Sequence, residues 1–596
     1  MYSPGKGIPL ELQGEQRQAK LLELGNHWTS IDFNQGTRLQ MQNLVDTKDF
    51  DQLEKALVPR ITFGTAGLRA KMTAGYAYMN HVTVQQAAQG LLAYLRIQFS
   101  EESLQKGVVI GHDARHNSKE YAELSAAVFL SQNVPVYMFS QVNPTPFVAF
   151  GVVLKGAVAG VMVTASHNPK EDNGYKVYWS NGAQIVDPHD SGIQNAILEN
   201  LELWDLKDKP DFLWVREESR DIYQEVLDAY ISKSLDYSRT KPQNSSSEVI
   251  VYTPLHGVGW ECVSKLWEAW GFFKLEVPEL QKLPDPEFPT VEFPNPEEGQ
   301  GTLKQAIQKA SEIGAKLVLA NDPDADRLGV AELQADGTWR IFTGDEIAFF
   351  FMEWEVSHYS GAKPGAVVAS TVSSKLTKVI AEANGLIYEE VLTGFKWIVK
   401  KIYELEQQGY HVLFSFEEAI GFCIGSLVRD KDGMLAACVF NEMYQERCTR
   451  QGITLSQHLK NIRRDYGQYF TRNSYFYCYS TETKNQVFES LRNPYPAQVG
   501  GVNVKYVRDL TVGYDNSQPD NIPVLPVSKS TQMITFTFEN GTILTLRTSG
   551  TEPKIKYYSE HHSDTQENTK SQLDSLVNSF ISEVLKPEVW GLESPQ

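Results

Sequence analysis

Three apolar runs, each followed by a polar loop and then a segment compatible with a helix, constrain the fold of this chain most. The runs lie at 107–113, 248–254 and 366–371, and the helix-compatible segments at 119–130, 262–269 and 375–383. Repeated strand–loop–helix units are typical of α/β layers with parallel or mixed sheets. The copies are too dissimilar to prove duplication, but they predict three related α/β domains.

The last part of the chain, from about Gly467, has a different pattern. Alternating aromatic and polar residues precede a strand-like run at 533–538, an Asn-Gly turn and a closing helical segment at 571–585. This pattern predicts a smaller α+β domain. A length of 596 residues suits about four domains. We predict a helical N-terminal extension followed by four domains, with boundaries at 1–55, 56–240, 241–345, 346–460 and 461–596.

Composition narrows the class of protein. The net charge of −19 argues against a nucleic-acid or anionic-membrane partner, because both need a basic surface. The five cysteines are odd in number and form no Cys-x-x-Cys pair, which favours a reducing compartment without structural zinc. The N-terminus lacks a signal pattern, and the most apolar window, Ile347–Met352, is far shorter than the roughly 20 residues of a membrane span. We expect a cytoplasmic monomer.

The segment Thr164–Pro169, followed by Asn173–Lys176, carries the strongest chemical signal. A short apolar run at 158–163 predicts a buried strand ending at this turn. Ser166, His167 and Lys176 then lie within about ten residues, a set suited to moving a phosphoryl group on and off a serine, and such groups often sit on loops held by strands. The alternative is an ordinary Asx-Pro turn with an incidental serine.

A second signal is the acidic loop at 321–327, which follows the apolar run 316–320. Carboxylates at alternate positions can converge on a hard cation such as Mg²⁺. An EF-hand is excluded because the loop glycine is absent and the twelfth position is Leu333. A solvated acidic turn remains the alternative. Arg327 would hold a sugar or phosphate oxygen, or balance charge. The candidate ligands are Asp322, Asp324 and Asp326.

Four further loops carry weaker signals. The segment 546–554 combines hydroxyls, glycine and cations in the manner of a phosphate cradle. The segment 63–69 has glycines that would bring backbone close to a ligand and aim Arg69 at it. Thr393–Lys396 and Glu417–Gly421 supply a lysine and a carboxylate for sugar hydroxyls. Each of the four could equally be a surface turn.

The six segments, in their order along the chain, resemble the α-D-phosphohexomutases, the phosphoglucomutase and phosphomannomutase superfamily. The resemblance extends from about Arg60 to Tyr558. The resemblance implies four domains around a central cleft, with the fourth moving to close it. It also implies phosphosugar substrates, one Mg²⁺ per chain and a sugar 1,6- or 1,5-bisphosphate as primer. The resting enzyme would carry phosphoserine.

The resemblance assigns roles to residues of this chain. Ser166 would carry the phosphoryl group and contribute to the metal site, and Glu417 would contact the sugar together with Arg327, Thr393 and Gly394. Lys176 is the first choice to take the hydroxyl proton, which requires a lowered pKa. The expected acid/base and charge-stabilising residues are His167, Lys176, Arg69 and Lys396; the expected metal ligands are Ser166, Asp322, Asp324 and Asp326; the expected phosphate contacts are Arg547, Ser549, Gly550, Thr551 and Lys554.

One departure bears on substrate choice. The family's sugar loop commonly reads Gly-Glu-x-Ser-Gly, whereas this chain has Ala419 in place of the serine. This variant is most similar to the phosphoglucomutase-2 branch, whose members interconvert pentose 1- and 5-phosphates, with some activity on glucose 1- and 6-phosphates. The alternatives are a glucose-1,6-bisphosphate synthase using 1,3-bisphosphoglycerate, and a catalytically silent phosphosugar-binding protein. A metal-dependent phosphatase is disfavoured, because the chain lacks a histidine-rich two-metal set.

Overall fold

The computed structural model describes residues 12–64, 67–207, 211–240, 247–528, 531–550, 552–563 and 566–595. The chain divides into two compact units. The first unit comprises the residues up to 342 together with 420–446, and the second comprises 343–419 together with the residues from 447 onward. Within the described residues, no helix is long and apolar enough to cross a membrane.

The first unit begins with three helices that share one small apolar core. Trp28 and Leu53 are fully buried in it, and Tyr76 and Val82, from the segment that follows, complete it. The N-terminal extension is therefore packed on the first α/β domain. The helices are α1 (Gly14–Ile31), α2 (Gln35–Thr47) and α3 (Phe50–Leu57).

A six-stranded sheet with helices around it forms the next layer. Its order is β1-β5-β4-β2-β3-β6, with β2, β3, β4 and β6 parallel and β1 and β5 antiparallel to their neighbours. The elements are β1 (Gly67–Lys71), α4 (His81–Gln98), α5 (Glu101–Leu104), β2 (Val108–His112), α6 (Ser118–Leu130), β3 (Val136–Met138), α7 (Thr145–Lys155), β4 (Ala159–Val163), β5 (Asp172–Trp179), α8 (His189–Glu199), α9 (Leu213–Glu218), β6 (Arg220–Asp221) and α10 (Tyr223–Ser234).

A five-stranded sheet follows, in the order β11-β10-β9-β7-β8. Strands β7, β8 and β9 are parallel, and β10 returns antiparallel beside β9. The elements are β7 (Ile250–Thr253), α11 (Gly259–Ala269), β8 (Leu275–Glu276), α12 (Glu279–Lys282), α13 (Gln300–Ile313), β9 (Leu317–Ala320), β10 (Gly329–Leu333) and β11 (Trp339–Ile341).

The second unit opens with a parallel β13-β12-β14 layer. Thr343 caps its first helix through a reciprocal capping box with Glu346. The elements are α14 (Gly344–Ser357), β12 (Gly365–Ser370), α15 (Leu376–Ala383), β13 (Ile387–Val391), α16 (Phe395–Gln407) and β14 (His411–Glu417). The chain then returns to the first unit with β15 (Gly421–Ile424) and α17 (Gly433–Tyr444).

The rest of the second unit is built on an eight-stranded sheet. Its main order is β16-β23-β22-β21-β19-β18, with β17 beside β23 and β20 beside β19. The elements are α18 (Leu455–Tyr466), β16 (Gln468–Thr471), β17 (Ser474–Tyr477), α19 (Thr481–Arg492), β18 (Gln498–Val499), β19 (Val502–Asp509), β20 (Tyr514–Asp515), β21 (Met533–Phe538), β22 (Ile543–Thr548), β23 (Lys554–Ser563), α20 (Gln566–Ser579) and α21 (Pro587–Trp590).

The predicted fold class is confirmed. The three apolar runs are strands β2, β7 and β12, and the helices predicted after them are α6, α11 and α15. All three strands are buried along their whole length, as the interior strands of parallel sheets are expected to be. The C-terminal part is α+β, and its neighbouring strands β19, β21, β22 and β23 pair antiparallel.

Candidate functional site

Ser166 lies in the loop immediately after β4, where the sequence predicts a nucleophile. It is buried and has a left-handed backbone, with φ at 54°. Its backbone N–H donates to Thr164 Oγ1 at 2.9 Å. Its Oγ donates to Asp322 Oδ2 at 2.9 Å and lies 3.3 Å from His167 Nδ1. The structure thus brings the serine and the acidic loop together across 156 positions of sequence.

The acidic loop follows β9, and its three carboxylates converge. Asp322, Asp324 and Asp326 are fully buried, and each offers a carboxylate oxygen within 4.8 Å of those of the other two. Arg327 donates its backbone N–H to Asp322 Oδ1 at 3.0 Å, which closes the turn. The side chain of Arg327 lies 3.4 Å from Glu297 Oε2 and 4.0 Å from Asp322 Oδ2.

The carboxylates fit a divalent cation. Within the described part of the chain, Asp324 Oδ1 and Asp326 Oδ1 are buried without a hydrogen-bond partner. Buried carboxylate oxygens without partners are costly, and a hard cation would satisfy them. Burial raises the pKa of Asp322 well above its usual value, and the charges of Asp324 and Asp326 add to the rise. The residues present therefore suit a magnesium site.

Lys176, on β5, contacts this carboxylate set. Its Nζ lies 2.7 Å from Asp324 Oδ2 and 3.1 Å from Asp326 Oδ2. Burial alone would lower the pKa of Lys176, but the two carboxylates outweigh it and the pKa is raised. In these surroundings the two buried anions stabilise the ammonium form of Lys176, which is the opposite direction to the predicted lowering of its pKa.

The carboxylates are also contacted by two residues that sequence reasoning missed. Thr145, at the start of α7, donates its hydroxyl to Asp324 Oδ2 at 2.7 Å. Lys431 Nζ lies 3.1 Å from Asp326 Oδ2 and 3.5 Å from Asp430 Oδ1. The alternating charges around Lys431 were the only sequence signal for it. Nothing in the local pattern marked Thr145.

Arg69 lies on β1 beside the serine loop. It donates from Nη1 to Asn168 Oδ1 at 3.1 Å, and is half-buried. The glycine before it has a structural cause: a Cβ on Gly67, whose φ is 151°, would approach Tyr175 O to 1.7 Å. Pairing of β1 with β5 therefore requires this glycine, whatever ligand binds nearby.

The predicted phosphate loop lies in the second unit, between β22 and β23. Arg547 donates from Nε to Tyr558 Oη at 3.1 Å. Lys554 is buried, with Nζ 2.7 Å from Glu552 Oε1 and 4.0 Å from the Tyr475 ring centroid. A phosphate here would compete with Glu552 for the ammonium. Ser549 is half-buried and Gly550 is exposed in the connecting turn, whereas Thr551 lies outside the described residues.

The predicted sugar loop ends β14, and its two glutamates differ. Glu417, the predicted sugar contact, is half-buried, whereas Glu418 is buried and accepts from Ser370 Oγ at 2.9 Å. Burial and the charge of Glu417 raise the pKa of Glu418 to about 7, although Arg547 opposes the rise. Sequence reasoning overlooked Glu418, and its position beside another glutamate was the available signal.

The predicted Thr393–Lys396 loop begins α16. Gly394 has a φ of 108° and precedes the first helical residue, a backbone that favours glycine. Thr393 is half-buried, and Lys396 is buried with its Nζ 5.2 Å from the Trp397 ring centroid. The structure thus places the three predicted residues in one turn of the second unit.

Comparison with known proteins decides the family. Residues 60–203, 228–335 and 343–466 match, in turn, the α/β/α domains I, II and III described for phosphoglucomutase/phosphomannomutase. A phosphopentomutase of Homo sapiens is 43% identical over 98% of this chain and 99% of its own length. The chain belongs to the phosphoglucomutase/phosphomannomutase family. The predicted resemblance to this family, and to its phosphoglucomutase-2 branch, is confirmed.

Other members of the family match almost as fully. A glucose 1,6-bisphosphate synthase of Homo sapiens is 44% identical over 94% of both chains. A phosphoribomutase of Saccharomyces cerevisiae is 40% identical over 89% of this chain and 91% of its own. Among solved structures, the open form of a Paramecium phosphoglucomutase has a TM-score of 0.65 at 18% identity, covering 90% of this chain and 96% of its own. That likeness shows the shared fold.

Proposed function

We propose that this phosphohexomutase interconverts the 1- and 5-phosphates of ribose and deoxyribose, and also glucose 1- and 6-phosphates, through phosphoserine at Ser166 and a sugar bisphosphate. The contact between Ser166 Oγ and Asp322 Oδ2 at 2.9 Å carries the proposal, since it joins a nucleophile to a metal-binding carboxylate set. The nearly full-length similarity to phosphopentomutases supports the pentose substrate.

Each transfer exchanges one P–O bond for another. The C5 hydroxyl of ribose 1-phosphate attacks the phosphorus on Ser166, the new O5–P bond forms and the Oγ–P bond breaks. The proton of the attacking hydroxyl ends on Ser166 Oγ. His167 Nδ1, 3.3 Å from Oγ, is placed to deliver it. The bisphosphate then turns over, and the phosphoryl group on C1 returns to Oγ by the reverse exchange.

The chain's own residues provide the charge balance. Asp322, Asp324 and Asp326 would hold one Mg²⁺, with Ser166 beside them. When bound, the cation supplies charge neutralisation for the transferring phosphoryl group. We assign Lys176 to stabilising charge as an ammonium group, because its Nζ lies 2.7 Å from Asp324 Oδ2 and 3.1 Å from Asp326 Oδ2. Arg69, which holds Asn168, adds a cation beside the serine loop.

The remaining predicted residues are assigned to recognition of the substrate. We assign the distal phosphate to Arg547, Ser549, Gly550, Thr551 and Lys554. Binding of sugar hydroxyls is the role proposed for Glu417, Thr393, Gly394 and Arg327, and Lys396 is assigned to stabilising charge. The predicted domain boundaries, the cytoplasmic location and the sugar bisphosphate primer belong to the same proposal. The five cysteines are buried and form no disulfide among the described residues, which fits a reducing compartment.

The test is kcat/KM for ribose 1-phosphate against glucose 1-phosphate, with Mg²⁺ and saturating bisphosphate primer. The proposal expects a clear preference for ribose 1-phosphate. A clear preference for glucose 1-phosphate would reassign the protein as a phosphoglucomutase. Absence of turnover on both sugars, in a folded protein that carries phosphoserine, would reject the mutase assignment.

Glucose-1,6-bisphosphate synthesis is the second candidate function. The observation that favours it is the 44% identity to glucose 1,6-bisphosphate synthases, which is close to the 43% identity to phosphopentomutases. Ser166 would then take its phosphoryl group from 1,3-bisphosphoglycerate and pass it to glucose 1-phosphate. Supplying [³²P]1,3-bisphosphoglycerate distinguishes the two, because a synthase accumulates labelled glucose 1,6-bisphosphate over many turnovers whereas a mutase does not.

A further inference from the structure

One buried guanidinium group lies beneath the serine loop. Arg115, in the loop after β2, donates from Nη2 to Ser166 O and Asn168 O, both at 2.6 Å. Its Nη1 donates to Pro169 O at 2.7 Å and to Asp172 O at 3.3 Å. A single side chain therefore binds four carbonyl oxygens of one loop. Its side chain is only 1% exposed, so water does not compete for these bonds.

The serine loop needs such support. Ser166 has the left-handed φ of 54°, a conformation that is unfavourable for residues other than glycine and persists only where surrounding contacts fix it. The Ser166 carbonyl is one of the groups that Arg115 binds. Movement of this carbonyl would move Cα and, with it, the Oγ that lies 2.9 Å from Asp322.

Asp113 holds the other side of the same arrangement. Its Oδ2 accepts the Thr164 hydroxyl at 2.6 Å and lies 3.2 Å from Arg115 Nε. Its Oδ1 accepts the Arg115 backbone N–H at 2.9 Å and the Ser118 hydroxyl at 2.6 Å. The guanidinium plane is therefore fixed by a carboxylate on one edge and by loop carbonyls on the others.

A proline-rich loop from the five-stranded layer covers the guanidinium group. The Phe288 ring centroid lies 5.0 Å from Arg115 Cζ, and Phe288 is buried. Its neighbour Glu287 accepts from His116 Nε2 at 2.6 Å and from Lys170 Nζ at 2.7 Å. The loop thus contacts both the loop after β2, through His116, and the serine loop, through Lys170. A cation over an aromatic face is stabilised more strongly when it is shielded from water.

We propose that Arg115, held under Phe288, is a positioning residue that fixes the Ser166 backbone for phosphoryl transfer. The inference rests on the proposed function, because it concerns the same serine. Lysine cannot replace Arg115 in this role: its ammonium keeps the charge but offers three donors on one nitrogen instead of a planar fork. Arg115 does not reach the reacting atoms, so its effect is on the rate of transfer and not on substrate affinity.

The test measures single-turnover phosphorylation of Ser166 by glucose 1,6-bisphosphate, with phosphoserine followed by intact-protein mass. In Arg115→Lys, we expect the rate constant to fall about 100-fold, the loss typical of a displacement near 1 Å. The bisphosphate concentration for half-maximal rate should stay within about 3-fold of wild type, as for a group that acts on the transfer step. Full-speed phosphorylation in folded Arg115→Lys overturns the inference.

Arg60→Lys is the matched control. Arg60 is also buried, donates to Gln86 Oε1 at 2.5 Å, and has its Cζ 5.5 Å from the centroid of the Tyr76 ring, but it contacts no serine-loop carbonyl in the described structure. Its phosphorylation rate should match wild type even if its Tm falls. An equal rate loss in Arg60→Lys and Arg115→Lys would show that the effect of Arg115→Lys comes from general destabilisation. That result would reject the inference.

Phe288 provides a second, milder variant. Phe288→Leu keeps an apolar side chain and removes the ring, and we expect an intermediate rate loss of about 5-fold from the lost cation–π contact. Phe288→Tyr, which keeps an aromatic ring, should retain the wild-type rate of phosphorylation. If Phe288 acts through Arg115, the double variant with Arg115→Lys should be no slower than Arg115→Lys alone. Additive losses overturn this coupling. Failure of wild type itself to become phosphorylated rejects the proposed function instead.

Discussion

Lys176 Nζ lies 2.7 Å from Asp324 Oδ2, although the two residues are 148 positions apart in sequence. This ion pair joins the strand after the serine loop to the loop that follows β9. It also leaves Asp324 Oδ1 without a hydrogen-bond partner among the described residues. One oxygen of the carboxylate thus stabilises a cationic side chain while the other remains available to a metal ion.

Replacing Asp324 tests the metal site. In Asp324→Asn, the Mg²⁺ concentration for half-maximal activity should rise at least about 10-fold, because a charged oxygen ligand is lost. Binding can also be read without turnover: the increase in Tm that Mg²⁺ causes in wild type should shrink or vanish. Asp336→Asn is the control, since Asp336 is exposed and its carboxylate accepts from Thr338. An unchanged Mg²⁺ requirement in Asp324→Asn contradicts the site.

Ser166→Ala tests the nucleophile. Removal of Oγ should abolish phosphoenzyme formation and lower kcat by at least about 10⁴-fold, since alanine has no oxygen to accept the phosphoryl group. The Tm should change little, because alanine tolerates the φ of 54° about as well as serine and the Arg115 bonds are to the backbone carbonyl. Mass spectrometry after incubation with glucose 1,6-bisphosphate gives the readout. An added phosphate on the alanine variant would show that another residue carries it.

The sequence predicted the strand ends correctly because local patterns mark them. Ser166 follows β4 and Asp322 follows β9, and both strands are apolar runs that end abruptly in polar loops. Arg115 and Thr145 were not predictable in this way. Their roles depend on which loops the sheets bring together, and tertiary proximity has no signature in a single chain. The surroundings of Lys176 were not predictable for the same reason, since they include two carboxylates that are distant in sequence.

Lys431→Met tests the second cation of the carboxylate set. Lys431 and Lys176 both lie 3.1 Å from Asp326 Oδ2, so losing one leaves excess negative charge where a phosphoryl group must approach. We expect kcat to fall about 10- to 100-fold, in line with the loss of one electrostatic contact. Lys265→Met is the control and should retain full activity, because Lys265 is a half-exposed residue of α11 that pairs with Glu261. Wild-type kcat in Lys431→Met would exclude this lysine from the reaction.

The buried carboxyl of Asp345 should make the stability of the second unit depend on pH. Burial raises its pKa to about 7, the nearby Glu560 adds to the rise, and the Ser374 N–H and Lys375 oppose it. The folded state therefore binds more protons than the unfolded state between about pH 4 and 7. Stability from this group is complete below the unfolded pKa and is lost as pH rises through 7, by up to about 4 kcal/mol.

Asp345→Asn should remove that dependence. The amide oxygen can still accept the Ser374 N–H, which bonds Asp345 Oδ1 at 2.8 Å, and no charge is buried at high pH. The Tm of the variant should exceed that of wild type at pH 8 and approach it at pH 5. Asp520→Asn, at an exposed position of the same unit, controls for general charge effects. Parallel Tm curves for Asp345→Asn and wild type would show that the carboxyl does not titrate in this range.

We expect residue 419 to affect the preference between ribose 1-phosphate and glucose 1-phosphate. The residue is buried directly after Glu418, whose carboxylate is held by Ser370, and it offers no hydroxyl. Ala419→Ser should increase kcat/KM for glucose 1-phosphate relative to ribose 1-phosphate by about 10-fold, because a site that hydrogen-bonds a hydroxyl discriminates for the substrate that carries it. Ala381→Ser, buried in α15, is the control for adding a hydroxyl elsewhere in the unit. If the ratio moves equally in both variants, or in neither, residue 419 does not set the preference between the two sugars.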